Sequence, residues 1–189
     1  MCTGPTSERD EKILEALVDG AQPSAGPVVL VDYDPEWPAL YEREETRIRG
    51  ALGKTALQVE HAGSTSVPGL SAKPIIDIVL VVPDSADERA YVPALEAAGY
   101  VLRIREPEWF EHRALKGTDP AVNLHVFSPD CAEVERMLLF RDHVRRDRAD
   151  RELYERTKRE LAQREWKYVQ HYADAKTDVV EGILDRALA

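Results

Sequence analysis

The segment Val59–Val82, VEHAGSTSVPGLSAKPIIDIVLVV, limits what this chain can fold into more than any other stretch. From Ile75 to Val82 every residue except Asp77 is aliphatic, and most are β-branched. That composition suits a central strand packed on both faces. A carboxylate in such a strand loses its hydration, and an unpaired buried charge is costly. Asp77 therefore requires a cation, a metal ion or converging donors. Just ahead of it, Gly63-Ser64-Thr65-Ser66 is a turn of small residues. Backbone N–H groups in such a turn can approach an anion closely, and the hydroxyls add donors.

Either side of this segment the expected organisation is mixed. Residues 1–27 read as an N-terminal extension: a short helix bearing Ile13, Leu14, Leu17 and Val18 that stops at Gly20, then a Pro/Gly linker. Residues 28–189 form the main domain, with an α/β core over about 28–128 and a helical part over about 129–189. Val28–Asp34 is expected as a strand, followed by a helix with Asp34 as cap and Pro35 at its first position. Ala56–His61 is expected as a strand, Ala86–Ala98 as a helix ending at Gly99, and Tyr100–Arg105 as a strand. Glu106–Asp119, with Trp109, His112 and Arg113, reads as a polar aromatic loop. Ala121–Phe127 alternates, setting Asn123 and His125 on the face opposite Val122, Leu124 and Val126. Glu133–Val144 is an amphipathic helix. A further stripe, Val169, Tyr172, Lys176, Val179, Ile183 and Ala187, predicts one terminal helix packed on the core. Glu152/Arg156, Glu155/Arg159 and Glu160/Arg164 are spaced as exposed i,i+4 pairs.

Bulk properties narrow the function classes. A net charge of −10 argues against general attraction to nucleic acid, whose binding rests on Lys and Arg neutralising phosphates. No apolar run approaches the roughly 20 residues needed to cross a bilayer, and Cys2 and Cys131 have no metal or disulfide spacing. The cytoplasm is the expected location. The chain lacks a G-x-x-x-x-G-K-[ST] loop, a G-x-S-x-G elbow, an H-E-x-x-H pair and a dinucleotide fingerprint.

For Asp77 two readings stand open. It holds a divalent cation whose remaining ligands are phosphate oxygens, or it forms a salt bridge with Lys73, Arg113 or Arg141. His125 is read as a metal ligand or general base, or as a hydrogen-bonded histidine under a loop. Glu60 and His61 end the strand entering the turn, so one of them points to the functional face.

With those residues in view, Glu60–Asp77, EHAGSTSVPGLSAKPIID, closely resembles the signature of the GrpB family, also called UPF0157. The resemblance continues through Val31–Pro38, Asn123–Phe127, Phe140–Asp147, Leu153–Ala162 and Tyr172-x-x-x-Lys176. It implies an α+β nucleotidyltransferase-like fold of the polymerase-β group: a mixed sheet, flanking helices and a helical C-terminal third. It further implies an NTP and a small-molecule acceptor, with Mg2+ or Mn2+ at Asp77. Ser64, Glu60 and His125 would complete the catalytic set. His61, Gly63, Thr65, Ser66, Lys73, Asn123, Arg113 and Arg141 would contact substrate. That superfold carries Asp-x-Asp on its central strand, but Val79 stands at the second position.

Overall fold

Residues 7–18 and 20–189 are described in the computed structural model. Gln58–Ala62 (β1), Ile76–Val81 (β2), Val101–Glu106 (β3), His112–Thr118 (β4) and Ala121–Phe127 (β5) assemble one sheet of order β1-β2-β5-β4-β3. β2 and β5 run parallel, and the other neighbours are antiparallel. This is the expected α+β class with a mixed sheet. On one face Ile76, Ile78, Leu80, Val122, Leu124 and Val126 are buried in a core shared with Trp37, Ile48 and Leu52 of helix α2 (Trp37–Leu52) and Leu95 of α3 (Val92–Ala97). On the other face Ala62, Val79, Val81 and Phe127 pack under Val134, Met137 and Leu138 of α4 (Ala132–Arg146). Helices α5 (Arg148–Ala162), α6 (Val169–Asp174) and α7 (Thr177–Leu188) complete the helical third.

Several expectations change. Val28–Asp34 is not a strand: it makes a single bridge, Val31 to Ala72, and Val28 packs against Leu161 and Tyr172 instead. Its apolar residues meet helices rather than a free sheet edge. Ahead of α2, Asp34 Oδ1 accepts from the Glu36 N–H at 2.9 Å, but Glu36 is the cap residue and Pro38 lies in the first turn. The helix expected over 86–98 is regular only from Val92, where Pro93, which needs no N–H partner, suits a helix start.

The loop expected over Glu106–Asp119 is largely strand β4. Only residues 107–111 turn, with Phe110 and Glu111 at positive φ. Polar residues hid this strand because they alternate between two occupied faces. The single terminal helix is broken at Ala175–Lys176 into α6 and α7. Of the expected exposed pairs, Glu155–Arg159 forms at 3.0 Å, while Glu152 pairs backward with Arg148 at 2.7 Å.

The N-terminal helix, α1 (Glu8–Glu15), ends before Gly20. Leu17 bridges Ile104 and the Arg105 N–H donates to the Ala16 carbonyl at 2.8 Å, so this segment covers the outer edge of β3. A paired edge is protected from pairing with other chains. Asp10, buried, receives Lys167 at 2.7 Å and His171 at 3.0 Å, tying α1 to the helical third.

Candidate active site

Register decides which side chains meet. Asp77 lies opposite Ala62 on β1 and Asn123 on β5, and Val79 lies opposite Glu60 and His125. Asn123 and His125 in turn face Lys116 and Ala114 on β4. Glu60, Asp77, Asn123, His125 and Lys116 therefore share one face. Val79 is fully buried under α4, but Asp77, one step nearer the strand's start, retains 28% side-chain exposure. Its surroundings thus differ from a strand packed on both faces throughout.

Asp77 Oδ1 accepts from Asn123 Nδ2 at 2.6 Å, and His125 Nε2 lies 4.0 Å from the same oxygen. A hydrogen bond to a carboxylate of this kind is worth about 2 kcal/mol. Among the described residues no lysine or arginine forms an ion pair with Asp77, and the two arginines considered for that role are engaged elsewhere. Arg113 lies on the opposite face and donates to Glu88 at 2.6 Å. Arg141 donates to Glu60 and Asp142, both at 2.8 Å, and to the His61 carbonyl at 3.0 Å. Neither is placed as a free phosphate partner.

Gly63 is the residue that brings the turn onto this carboxylate. It adopts φ 63° and ψ −172°, and a Cβ there would sit 2.4 Å from Asp77 Oδ2. Only glycine tolerates both the conformation and the approach. The turn itself is pinned from inside. Thr65 Oγ1 donates to the Ile75 carbonyl at 3.3 Å and accepts from His61 Nε2 at 3.0 Å, while Ser66 Oγ donates to the Gly63 carbonyl at 2.6 Å. His61 stacks on Tyr41 with ring centroids 4.7 Å apart, and burial pushes its pKa down to about 4. Arg145 chelates the Ser66 carbonyl at 3.0 and 2.9 Å. Thr65, Ser66 and His61 therefore hold the turn's shape rather than face a ligand.

Ser64 points the other way. Its Oγ accepts from Lys158 Nζ at 3.0 Å, and the same amine donates to the Ser71 carbonyl. Lys158 is fully buried over the Tyr154 ring, and desolvation, reinforced by Lys176, brings its pKa to about 7. Lys176 lies 4.7 Å from the centroid of Tyr172, whose ring also meets Lys73 at 5.9 Å. Lys116 donates to Asn123 Oδ1, one bond removed from Asp77. Burial lowers the pKa of both Lys73 and Lys116, and the Asp77 charge opposes that shift in each.

Three amines, Lys73, Lys116 and Lys158, thus share the field of one carboxylate, and a fourth, Lys176, lies near Lys73 and Lys158. Of these four, Lys116, Lys158 and Lys176 were not singled out for the site by sequence reasoning. Lys158 and Lys176 do fall within stretches that resemble the family, and that was the available signal. Elsewhere, His143, Asp147 and Asp150 converge, but Asp150 already binds Arg186 at 2.6 Å and His143 at 2.7 Å, and Asp147 caps α5.

Residues 27–186 match the family model described as GrpB protein. A UPF0157 protein of Halalkalibacterium halodurans is 59% identical over 97% of this chain and 94% of its own length. The crystal structure of the conserved protein GrpB from Enterococcus faecalis superposes with a TM-score of 0.74, at 30% identity, covering 85% of this chain and 97% of that one. The Cid1 poly(U) polymerase superposes with a TM-score of 0.51 at 11% identity, covering 70% of this chain and 44% of that one. That last likeness concerns the fold, which is the nucleotidyltransferase fold. With the motif, the sheet and these relatives in agreement, the chain belongs to the GrpB (UPF0157) family.

Proposed function

We propose that the protein transfers a nucleotidyl group from a nucleoside triphosphate to a small-molecule acceptor, with Mg2+ or Mn2+ held at Asp77. One observation carries this reading: Asp77 is partly exposed against the Gly63 backbone, has no lysine or arginine ion-pair partner among the described residues, and sits in the field of three lysines, Lys73, Lys116 and Lys158. A carboxylate free to take a cation, beside several amines, suits a polyphosphate better than it suits a neutral ligand. The nucleotidyltransferase fold supports the same reading.

In this scheme Lys73, Lys116, Lys176 and Ser64 hold the phosphates, with Ser64 positioned by the buried Lys158 amine. The acceptor hydroxyl or amine attacks the α-phosphorus, the bond from that phosphorus to the bridging oxygen breaks, and pyrophosphate leaves with the electron pair. The acceptor's proton passes to Glu60 Oε1, the carboxylate oxygen that Arg141 does not hold. Strand spacing sets Glu60 about 8 Å from Asp77 between Cα atoms, which leaves room for an acceptor. When bound, the cation would supply charge stabilisation at the phosphoryl oxygens. The −10 net charge favours a small acceptor over RNA or DNA.

A second reading, a nucleotide- or phosphate-binding regulatory module without turnover, draws on Val79. That position is fully buried beneath α4, so the second metal-binding carboxylate of the superfold has no counterpart here. The test is to supply each NTP, either metal and a panel of hydroxyl and amino acceptors, and to follow pyrophosphate. Metal-dependent release that is lost in Asp77→Asn supports transfer. Binding without turnover across the panel favours the module, and no metal-dependent nucleotide binding overturns the transfer reading.

A further inference from the structure

Four neighbouring strands each contribute one side chain to a line that ends at Asp77. Glu106 of β3 accepts from His112 Nδ1 of β4 at 2.7 Å. His112 Nε2 lies 3.1 Å from His125 Nδ1 of β5, and His125 Nε2 lies 4.0 Å from Asp77 Oδ1 of β2. The order Glu106, His112, His125, Asp77 follows the spatial order of the strands. The two imidazoles are nearly parallel, 18° apart, and His112 also stacks on Phe127 at 4.8 Å while Trp109 packs edge-on against it at 5.1 Å. Rings packed in this way have little freedom to turn.

The line has a direction. The Glu106 carboxylate can only accept while ionised, so the proton is on His112 Nδ1. With both rings neutral, His112 Nε2 is then an acceptor and His125 Nδ1 donates to it. That leaves the lone pair of His125 on Nε2, the atom beside Asp77. A carboxylate–histidine arrangement that fixes the tautomer of a second imidazole is the usual support behind a histidine metal ligand. The span fits as well. Two ligands each about 2.1 Å from one ion lie at most about 4.2 Å apart, so a single cation reaches both atoms. Glu60, the other candidate for this place, is taken by Arg141.

We propose that His125 Nε2 is the second protein ligand of the cation at Asp77, oriented by Glu106 and His112, and that the site therefore favours Mn2+, Co2+ or Zn2+ over Mg2+. This rests on the cation site of the proposed function and specifies its metal. Imidazole nitrogen is a good ligand for the transition metals and a poor one for Mg2+, which takes oxygen ligands.

The test is direct binding of Mn2+, Co2+ and Mg2+ to the nucleotide-free protein, with pulsed EPR of the Mn2+ complex for coupling to an imidazole nitrogen. The expected result is nitrogen coupling and Mn2+ affinity at least about tenfold above that for Mg2+. Coupling should vanish in His125→Ala and in His125→Gln, each checked for folding by circular dichroism. Coupling should persist in His143→Ala, which excludes the helical cluster as its source. Glu106→Gln should keep the coupling but weaken Mn2+ about 10- to 100-fold. Mn2+ bound without nitrogen coupling, or equal affinity for Mg2+, overturns this assignment while leaving nucleotidyl transfer standing. Nitrogen coupling in a protein that binds no nucleotide supports the ligand assignment and sinks the transfer reading instead.

Discussion

Gly63→Ala isolates the closest contact in the site. The new methyl carbon would lie 2.4 Å from Asp77 Oδ2 and 2.9 Å from the Asp77 Cβ and Cγ, so something must move. The backbone at φ 63° and ψ −172° occupies a region nearly restricted to glycine, at a cost of about 1–3 kcal/mol for another residue. Rotating the carboxylate aside breaks the 2.6 Å bond from Asn123, worth about 2 kcal/mol. Together these give roughly 3–5 kcal/mol, or a fall in Tm on the order of 10 °C for a chain of this size.

A thermal melt followed by circular dichroism measures this. The informative comparison is Gly63→Ala in an Asp77→Ala background. There the clash with the carboxylate is gone, leaving the backbone strain and the 2.9 Å approach to the Cβ of residue 77, so the glycine substitution should cost about 2 kcal/mol less than in the native protein. Equal costs in the two backgrounds would show that the carboxylate does not set the requirement for glycine. A Tm unchanged by Gly63→Ala alone would refute the close approach altogether.

Arg113→Ala should cost about 2 kcal/mol in a denaturant titration, because it removes one of the two guanidiniums, Arg105 and Arg113, that hold the Glu88 carboxyl down at about 2, while Arg105 keeps its own two bonds to Glu88. It should leave nucleotide affinity unchanged, since Arg113 lies on the far face. Lys73→Ala and Lys176→Ala should each weaken triphosphate binding about tenfold in calorimetry and flatten its salt dependence. Buried His61 titrates near 4 in the folded protein and near 6.5 when unfolded, so the unfolded state binds more protons between those values. Stability should therefore fall by about 3 kcal/mol as pH drops from about 6.5 to about 4. His61→Gln, which can still donate to Thr65, should remove most of that slope.

The sequence alone was enough to recognise the central strand, the turn before it and the chemistry they share. An aliphatic run broken by one aspartate, preceded by Gly-Ser, is a local pattern, and local patterns survive in one dimension. The alternation in Ala121–Phe127 likewise set Asn123 and His125 on a polar face, which proves to be the face of Asp77.

Strand β4 escaped notice because His112 and Lys116 serve one face while Arg113 pairs on the other, so no apolar/polar rhythm remained. Val28–Asp34 misled in the opposite sense: its apolar residues carry no mark of whether a helix or a strand will cover them. The lysines were invisible as a group because helix packing delivers Lys158 to Ser64, and Tyr172 with Lys176 on its ring to Lys73, from far along the chain. Whether a charge reaches the site depends on strand register and helix placement. Those are set by burial across the whole domain, so the residues that could handle phosphate were listed in the sequence but assembled only by the fold.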